Sequence, residues 1–166
     1  MRINPDDQEN DYALFGMVLL QWGHVEAELV NILLRLTHPR FGFVQEKGLP
    51  RGFSDQIRLA KRLYRAIPHI AELKDEACAL LGTLGPLHNT RSVIVHGYYQ
   101  GYAGGDRFMF GIFEPQKGPR MVNKAHYFTH AQVVQLSSDI DKRRASMAML
   151  SANTFRVPLP KTVRAG

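Results

Sequence analysis

The stretch DYALFGMVLLQWGHVEAELVNILLRLT, residues 11–37, decides the fold of this 166-residue chain. Apolar residues recur in it at alternating steps of three and four, which is the spacing of one face of an α-helix. The residues of that face are Phe15, Val18, Trp22, Val25, Leu29, Ile32 and Leu36. A second apolar set widens the stripe well beyond one face and comprises Leu19, Leu20, Val30, Leu33 and Leu34. We therefore predict a long helix that either lies centrally in a bundle or uses its second face as an oligomer interface.

Two further helical patterns follow, over residues 54–67 and residues 69–96. In the pattern over residues 69–96 the pair Gly85-Pro86 predicts an interruption, because proline is best tolerated in the first turn of a helix. A new or kinked helix would then begin at Pro86. Gly97 directly after this pattern predicts the C-terminal stop of that helix.

The character of the sequence changes after Gly97. Segments 98–102, 107–113 and 121–128 are rich in aromatic residues and partly alternate in hydropathy. They are separated by Ala-Gly-Gly-Asp and by Pro-Gln-Lys-Gly-Pro, both of which are turn sequences. We predict a three-stranded antiparallel β-meander over residues 98–128.

Thr129 and Gln132 have the spacing of a capping box and predict a last helix that ends near Ala152. The predicted fold class is therefore mainly α, an up-and-down helical bundle with a small three-stranded antiparallel β-meander inserted before its last helix. We expect a single domain over residues 1–152 and a flexible basic tail over residues 153–166.

Composition narrows the class of protein. Its hydrophobic share of 45% is that of an ordinary globular protein. Its net charge of +6 is compatible with an anionic partner. Cys78 is the only cysteine, which excludes an intramolecular disulfide. The N-terminus is polar, and no apolar run approaches the length of a membrane span. These features predict a cytoplasmic protein that does not associate with a membrane.

Several familiar sites are absent from the sequence. It contains neither a phosphate-binding loop of the Gly-Lys-Ser/Thr kind nor a dinucleotide fingerprint, so no cofactor is expected. His126 and His130 are four residues apart, but they straddle a predicted strand–helix junction and no third ligand is evident. We therefore expect no metal site.

The strongest functional signal is the segment Asn89-Thr-Arg91-Ser92-Val-Ile-Val-His96-Gly-Tyr98. An arginine stays protonated and presents a planar fork of donors to phosphate oxygens, and a histidine can act as general base or acid near neutral pH. Together they suit RNA cleavage without a metal. An arginine and a histidine at this spacing are expected by chance in such a chain, whereas the added tyrosine two residues later is not.

This segment resembles the Arg-x4-6-His motif of the HEPN superfamily, helical domains of which many are metal-independent endoribonucleases. The longer form Arg-x4-His-x-Tyr resembles the toxin members that are paired with a minimal nucleotidyltransferase antitoxin. The resemblance implies a homodimer that cleaves RNA with Arg91 and His96 as the catalytic pair. Asn89 and Ser92 are candidate supporting polar groups because of their spacing from His96 along the helix. The resemblance also implies that the antitoxin attaches adenylate to Tyr98.

Helix geometry constrains such a site. Five residues separate Arg91 from His96, which places them about 140° apart around an ideal helix. Ser92 and Asn89 align better with His96. A site that uses Arg91 and His96 together needs either a distorted helix end or a second copy of the motif across a two-fold axis.

Other interpretations stay open. Arg91 can instead pair with a carboxylate such as Glu26, His96 can favour the end of a helix by its charge, and Tyr98 can simply pack in a strand. A third interpretation is a non-catalytic HEPN-like module that binds RNA, a nucleotide or a protein partner.

The helical pattern over residues 54–67 also carries basic residues on its polar side. Arg58, Arg62 and Arg65 can follow a phosphate backbone, which makes them candidate RNA-binding residues. A solvated helix face is the alternative interpretation of the same residues.

Overall fold

The computed structural model describes residues 5–42, 48–104, 106–115 and 121–160. It is mainly α, with a three-stranded antiparallel sheet before the last helix, as predicted. The helices are α1 (Pro5–Leu36), α2 (Phe53–Ala66), α3 (Lys74–His96) and α4 (His130–Arg156), and the strands are β1 (Tyr98–Tyr102), β2 (Arg107–Pro115) and β3 (Met121–Thr129). Two short 3-10 helices cover Pro39–Phe41 and Pro68–Leu73. Within these described ranges, none of the helices has an apolar stretch long enough to cross a membrane.

The described chain divides into two compact units. The first comprises Met1–Trp22 and Pro86–Asp141, and the second comprises Gly23–Gly85 and Lys142–Gly166. The sheet and the whole segment 89–98 belong to the first unit, whereas α2 and its arginines belong to the second. The expected tail from residue 153 begins in helix, since α4 continues to Arg156, and residues 161–166 lie outside the described residues.

Helix α1 confirms the main prediction from residues 11–37. All seven residues of the predicted apolar face are buried. Leu33, which we placed on the second face, is fully buried as well, because it lies one helical turn after Leu29 and extends the same stripe. Leu19, Leu20 and Leu34 are exposed, so the second apolar face exists but is narrower than predicted.

The interruption predicted at Gly85-Pro86 does not end a helix. Helix α3 runs through Pro86 to His96, and the start of the predicted pattern, Pro68–Leu73, is a 3-10 helix instead. A proline inside a helix removes one backbone hydrogen bond, here to the carbonyl of Gly82. Because both Pro86 and Gly82 are exposed, water can take the place of the missing donor.

The meander has the order β1-β2-β3, and both strand pairs are antiparallel. Strand register pairs Tyr98 with Gly111, and it shifts between Tyr99 and Gly101, where Gly101 adopts a φ of 97°. Phe108 and Phe110 of β2 are buried. They meet the Phe15 ring of α1 edge-to-face, with centroids 5.1 and 5.3 Å apart, and so form the aromatic core of the first unit.

Helix α4 begins with the predicted capping box. The Gln132 backbone N–H donates to the Thr129 hydroxyl at 3.1 Å, and the Thr129 N–H donates to the Gln132 side-chain oxygen at 2.8 Å. The predicted core residues of this helix are all buried and comprise Val133, Leu136, Ile140, Met147 and Leu150.

In the second unit, Arg35 of α1 holds the end of α4. Its guanidinium donates to the carbonyl of Val157 at 2.7 Å and to that of Phe155 at 3.4 Å. The same group lies 5.5 Å from the centroid of the Phe155 ring. The chain just beyond α4 is therefore fastened to α1 rather than leading directly into a free tail.

Candidate functional site

Arg91 lies beside Trp22, the central aromatic residue of α1. Its guanidinium carbon is 5.9 Å from the centroid of the indole ring, and Trp22 is fully buried. The ring of His88, three residues before Arg91 on α3, lies 5.7 Å from the same indole. A cation on an aromatic face contributes about 0.5–2 kcal/mol, more when it is shielded from water. Arg91 therefore has a positioned, half-buried guanidinium rather than a solvated one.

Trp22, His88 and Arg91 therefore lie together. His88 was not predicted from the sequence, although a signal was present. Residues three apart on a helix lie on the same side, so His88 and Arg91 were bound to share a neighbour. What the sequence did not reveal is that this neighbour is Trp22, because α1 and α3 are far apart along the chain.

His96 is the last residue of α3, and its side chain is exposed. Ser92 and Asn89, four and seven residues earlier, follow the same line along the helix. Ser92 is half-buried and Asn89 is exposed. The three residues form a polar stripe that leads to the end of α3, as the spacing predicted.

The structure does not bring Arg91 and His96 together by distorting the helix. Helix α3 is continuous through both residues, so the separation of about 140° around its axis applies. Arg91 accordingly lies against Trp22 while His96 is open to solvent. A site that uses both residues would therefore need a second copy of the chain or a movement of the helix end.

Gly97 ends α3 as predicted, but for a different reason than a left-handed backbone. Its N–H donates to the carbonyl of Val93 at 2.8 Å, and its φ is not in the left-handed region. A Cβ at this position would lie 2.4 Å from that carbonyl oxygen and 3.2 Å from the Cβ of Phe110. A residue with a Cβ would therefore disturb the last turn of α3, and the nearby Phe110 of β2 leaves little room for it.

Tyr98 begins β1 and is 43% exposed. Its ring stacks on Phe113, with centroids 5.6 Å apart and planes 19° from parallel. Its hydroxyl accepts a hydrogen bond from the side-chain amide of Asn123. A Cβ on Gly111, the cross-strand partner, would lie 2.6 Å from the Tyr98 ring. Tyr98 is therefore a packed strand residue whose phenol stays on an exposed surface, which combines features of both interpretations of this tyrosine.

A buried carboxylate fixes β1 to α1. Asp11 is 2% exposed and accepts hydrogen bonds from the hydroxyls of Tyr102 and, at 3.5 Å, Tyr99. Burial, together with the negative charge of Asp11, raises the pKa of Tyr99 to about 12. The strand that carries Tyr98 is thus anchored by neutral tyrosines on a carboxylate.

The three arginines of α2 are exposed, as the polar side of that helix predicted. Arg58 forms an ion pair with Asp55 one turn earlier. Both side chains are well exposed, so this pair adds little stability. Arg62 and Arg65 continue the same basic side of α2, which lies in the second unit.

The histidines that we weighed as metal ligands lie where the sequence placed them. His126 is a half-buried residue of β3 that pairs with Phe110, and His130 is the exposed first residue of α4. Among the residues that the structure describes, no group of three or more His, Cys, Asp or Glu side chains is arranged to hold a metal ion.

Comparison with known proteins adds no relative. No family model matches the chain, and neither a curated protein nor a solved structure matches it. The resemblance of segment 89–98 to the HEPN superfamily therefore depends on the motif and stays a hypothesis.

Proposed function

We propose that this protein is a metal-independent endoribonuclease of the HEPN kind, with a toxin or defence role, and that it acts as a homodimer. The observation that carries this proposal is the position of His96. It is exposed at the end of a helix that also carries the half-buried guanidinium of Arg91 and the polar residues Asn89 and Ser92. A general base must be reachable by the substrate, and a phosphate-binding cation gains from partial shielding from water.

The chemistry needs two functions. His96 removes the proton from a ribose 2′-hydroxyl, and the 2′-oxygen forms a bond to the adjacent phosphorus while the bond to the 5′-oxygen breaks. Water, or the His96 that has just been protonated, returns a proton to the leaving 5′-oxygen. The products are a 2′,3′-cyclic phosphate and a 5′-hydroxyl. Arg91 stabilises the charge that develops on the phosphate oxygens.

Because α3 directs Arg91 and His96 to different sides, we assign them to a composite site, with Arg91 from one subunit and His96 of the partner subunit. A two-fold axis makes two such sites at once. Exposed apolar side chains on α1 support an interface between copies, since Leu20 is 66% exposed and Leu19 is exposed beside it.

The arginines of α2 are assigned a general role in binding RNA. Exposed cations along one helix attract phosphates whatever the base sequence. Arg62 and Arg65 are better suited to this than Arg58, whose guanidinium is already paired with Asp55.

Tyr98 is assigned as the point of inactivation by a partner nucleotidyltransferase. Its phenol oxygen would attack the α-phosphorus of ATP, release pyrophosphate and lose its proton, which leaves adenylate on the tyrosine. The added phosphate is negative and would compete with the RNA phosphate for cations near the site. The exposed phenol of Tyr98 supports this assignment.

The test is cleavage of a labelled RNA by purified protein in the presence of a chelator. His96→Ala should lower the rate about 10²- to 10⁴-fold, which is the usual contribution of a positioned acid or base. Arg91→Lys is preferable to alanine at that position, because it keeps a charge beside Trp22 but removes the planar fork.

His24→Ala is the matched control, since His24 is also exposed and lies outside the motif. Products should carry 2′,3′-cyclic phosphate ends. Cleavage that continues unchanged in His96→Ala would refute the assignment. Binding of RNA without any cleavage by the native protein would favour the non-catalytic module.

A further inference from the structure

The sheet has one face that the proposed catalytic chemistry does not use. Strand register and burial separate an inner face, which holds Phe108 and Phe110, from an opposite face. We call this opposite face the outer face, and it carries Tyr98, Gln100, Arg107, Met109, Phe113, Met121, Asn123 and Tyr127.

Three large aromatic side chains on the outer face are open to solvent. Phe113 is 57% exposed, Tyr127 is 51% exposed, and Tyr98 is the third. Exposed aromatic surface is unfavourable in water, so three such rings on one small sheet mark a binding surface. At their centre Gly111 leaves the space that the Tyr98 ring and the Gln100 amide occupy.

Contacts with neighbouring side chains fix the orientation of these rings. Tyr98 stacks on Phe113, and its hydroxyl accepts the hydrogen bond from Asn123. The guanidinium carbon of Arg107 lies 5.9 Å from the centroid of the Tyr127 ring, and an Arg107 nitrogen donates to the carbonyl of Ala103 at 3.1 Å. Preformed rings lose little conformational entropy when a flat ligand stacks on them.

Charge and shape indicate what kind of ligand fits. Of the described side chains on the outer face, Arg107 is cationic, two are amides and none is acidic. The large aliphatic side chains among them are two methionines, half-buried Met109 and Met121, which lies at the far end of β3 from Tyr127, so the centre of the face is aromatic and polar. Aromatic rings with a nearby guanidinium and amide groups suit unpaired bases joined by phosphates.

We propose that the outer face binds single-stranded RNA, whose bases stack on Phe113, Tyr127 and Tyr98 while Arg107 pairs with a phosphate. This inference rests on the proposed function, because it identifies the surface that holds the substrate strand. Gly97 joins this sheet to the end of α3 with close contacts to Phe110. A strand that lies on the outer face is therefore held on the same unit as His96.

Binding is measured by fluorescence anisotropy in a His96→Ala background, so that cleavage does not interfere. The probes are a labelled single-stranded oligoribonucleotide of mixed sequence and the duplex of the same sequence. Phe113→Ala and Tyr127→Ala should each weaken single-strand binding about 5- to 100-fold, which is the usual effect of losing one stacking ring. The duplex should bind more weakly than the single strand, because its bases are not available to stack.

Two matched variants control for non-specific effects. Tyr127→Phe keeps the ring and should keep the affinity. Val134→Ala removes an exposed apolar side chain from α4 of the same unit and should have no effect. Circular dichroism of each variant verifies that the fold is retained.

The outcomes separate this inference from the proposed function. Unchanged affinity in Phe113→Ala and Tyr127→Ala would overturn the inference, even if the native protein cleaves RNA. Loss of a dimer in these variants, seen by light scattering without a change in RNA affinity, would also overturn it and assign the face to self-association. Lost RNA binding in both variants would support it, even if the native protein cleaves nothing.

Discussion

The Tyr64 hydroxyl donates a hydrogen bond to the Thr154 hydroxyl oxygen, 2.5 Å away, in the core of the second unit. The direction follows from Thr154, whose single hydroxyl hydrogen points to the carbonyl of Leu150 at 2.8 Å. Both side chains are completely buried. Burial raises the pKa of Tyr64 to about 12. One polar contact thus links α2 to α4 within an apolar surrounding.

Thr154→Val should lower the free energy of unfolding by about 1–3 kcal/mol, because it leaves the Tyr64 hydroxyl buried without an acceptor. Adding Tyr64→Phe to this variant should recover part of the loss, since both polar groups are then gone. Urea denaturation of the two single variants and the double variant measures this. Strictly additive losses would show that the two hydroxyls do not depend on each other.

Stability should fall in alkaline solution as the buried tyrosines ionise. Tyr64 and Tyr99 each have a folded-state pKa raised from the usual 10.0 to about 12. Their contribution is therefore complete below pH 10 and is lost as the pH rises from 10 towards 12. Thermal unfolding across this range, followed together with tyrosinate absorbance, measures the effect. Tyr64→Phe and Tyr99→Phe should each flatten the decline, and an equally steep decline in both variants would assign it to other groups.

Gly97→Ala should destabilise the first unit and lower RNA cleavage. The new Cβ would lie 2.4 Å from the Val93 carbonyl oxygen and 3.2 Å from the Cβ of Phe110, so the last turn of α3 and its contact with β2 would both have to shift. Gly16→Ala is the control, because nothing lies within 4 Å of a Cβ there. That exposed helical position should gain roughly 0.5–1 kcal/mol of stability. Equal effects of the two substitutions on unfolding would mean that close approach at Gly97 does not matter.

The native protein should have a mass of twice 18.8 kDa in light scattering. Leu20→Glu should give a folded monomer that does not cleave RNA, since it places a charge on the exposed apolar face of α1 that we assign to the dimer interface. Met149→Glu is the control, as Met149 is 64% exposed on α4.

The composite site makes a stricter demand. Arg91→Lys and His96→Ala proteins, each inactive alone, should regain cleavage when mixed, because one site of the mixed dimer then has both native residues. A mixture that stays inactive despite subunit exchange would place the whole site within one subunit.

Tyr98→Phe should keep RNA cleavage but escape neutralisation by the nucleotidyltransferase. The substitution retains the ring that stacks on Phe113 and loses only the oxygen that accepts the bond from Asn123. Co-expression of the protein with the product of the neighbouring gene, followed by mass spectrometry, tests this. Full neutralisation with unmodified Tyr98 would leave this tyrosine with the role of a packed ring.

Periodicity predicted the elements well where local chemistry determines them. The three-and-four spacing from Phe15 to Leu36 identified the buried side of α1, and Thr129 with Gln132 identified the start of α4. At Pro86 the sequence left open a new helix or a kinked one, and the structure excludes the new helix because α3 continues through the proline. Whether a proline breaks a helix depends on how exposed the affected carbonyl is. That exposure follows from packing, which one segment does not encode.

The candidate site was predicted less completely than the fold. The sequence proposed Arg91, His96 and Tyr98 as candidates, but did not show that Arg91 lies on Trp22 beside His88 or that Tyr98 stacks on Phe113. These contacts join segments that are distant along the chain. The helix end at Gly97 was predicted, but not the crowding of that position by the Val93 carbonyl and, less severely, by Phe110 of β2.

The junction at Gly97 also limits how the length of this protein can vary. Side chains of a strand alternate between two faces, so one inserted residue between His96 and Tyr98 would move Tyr98 to the inner face and Tyr99 to the outer one. Tyr99 would then leave Asp11, and the ring of Tyr98 would leave Phe113. Natural variants of this chain are therefore expected to gain or lose residues in the turns of the meander and to keep the count from 96 to 98 unchanged.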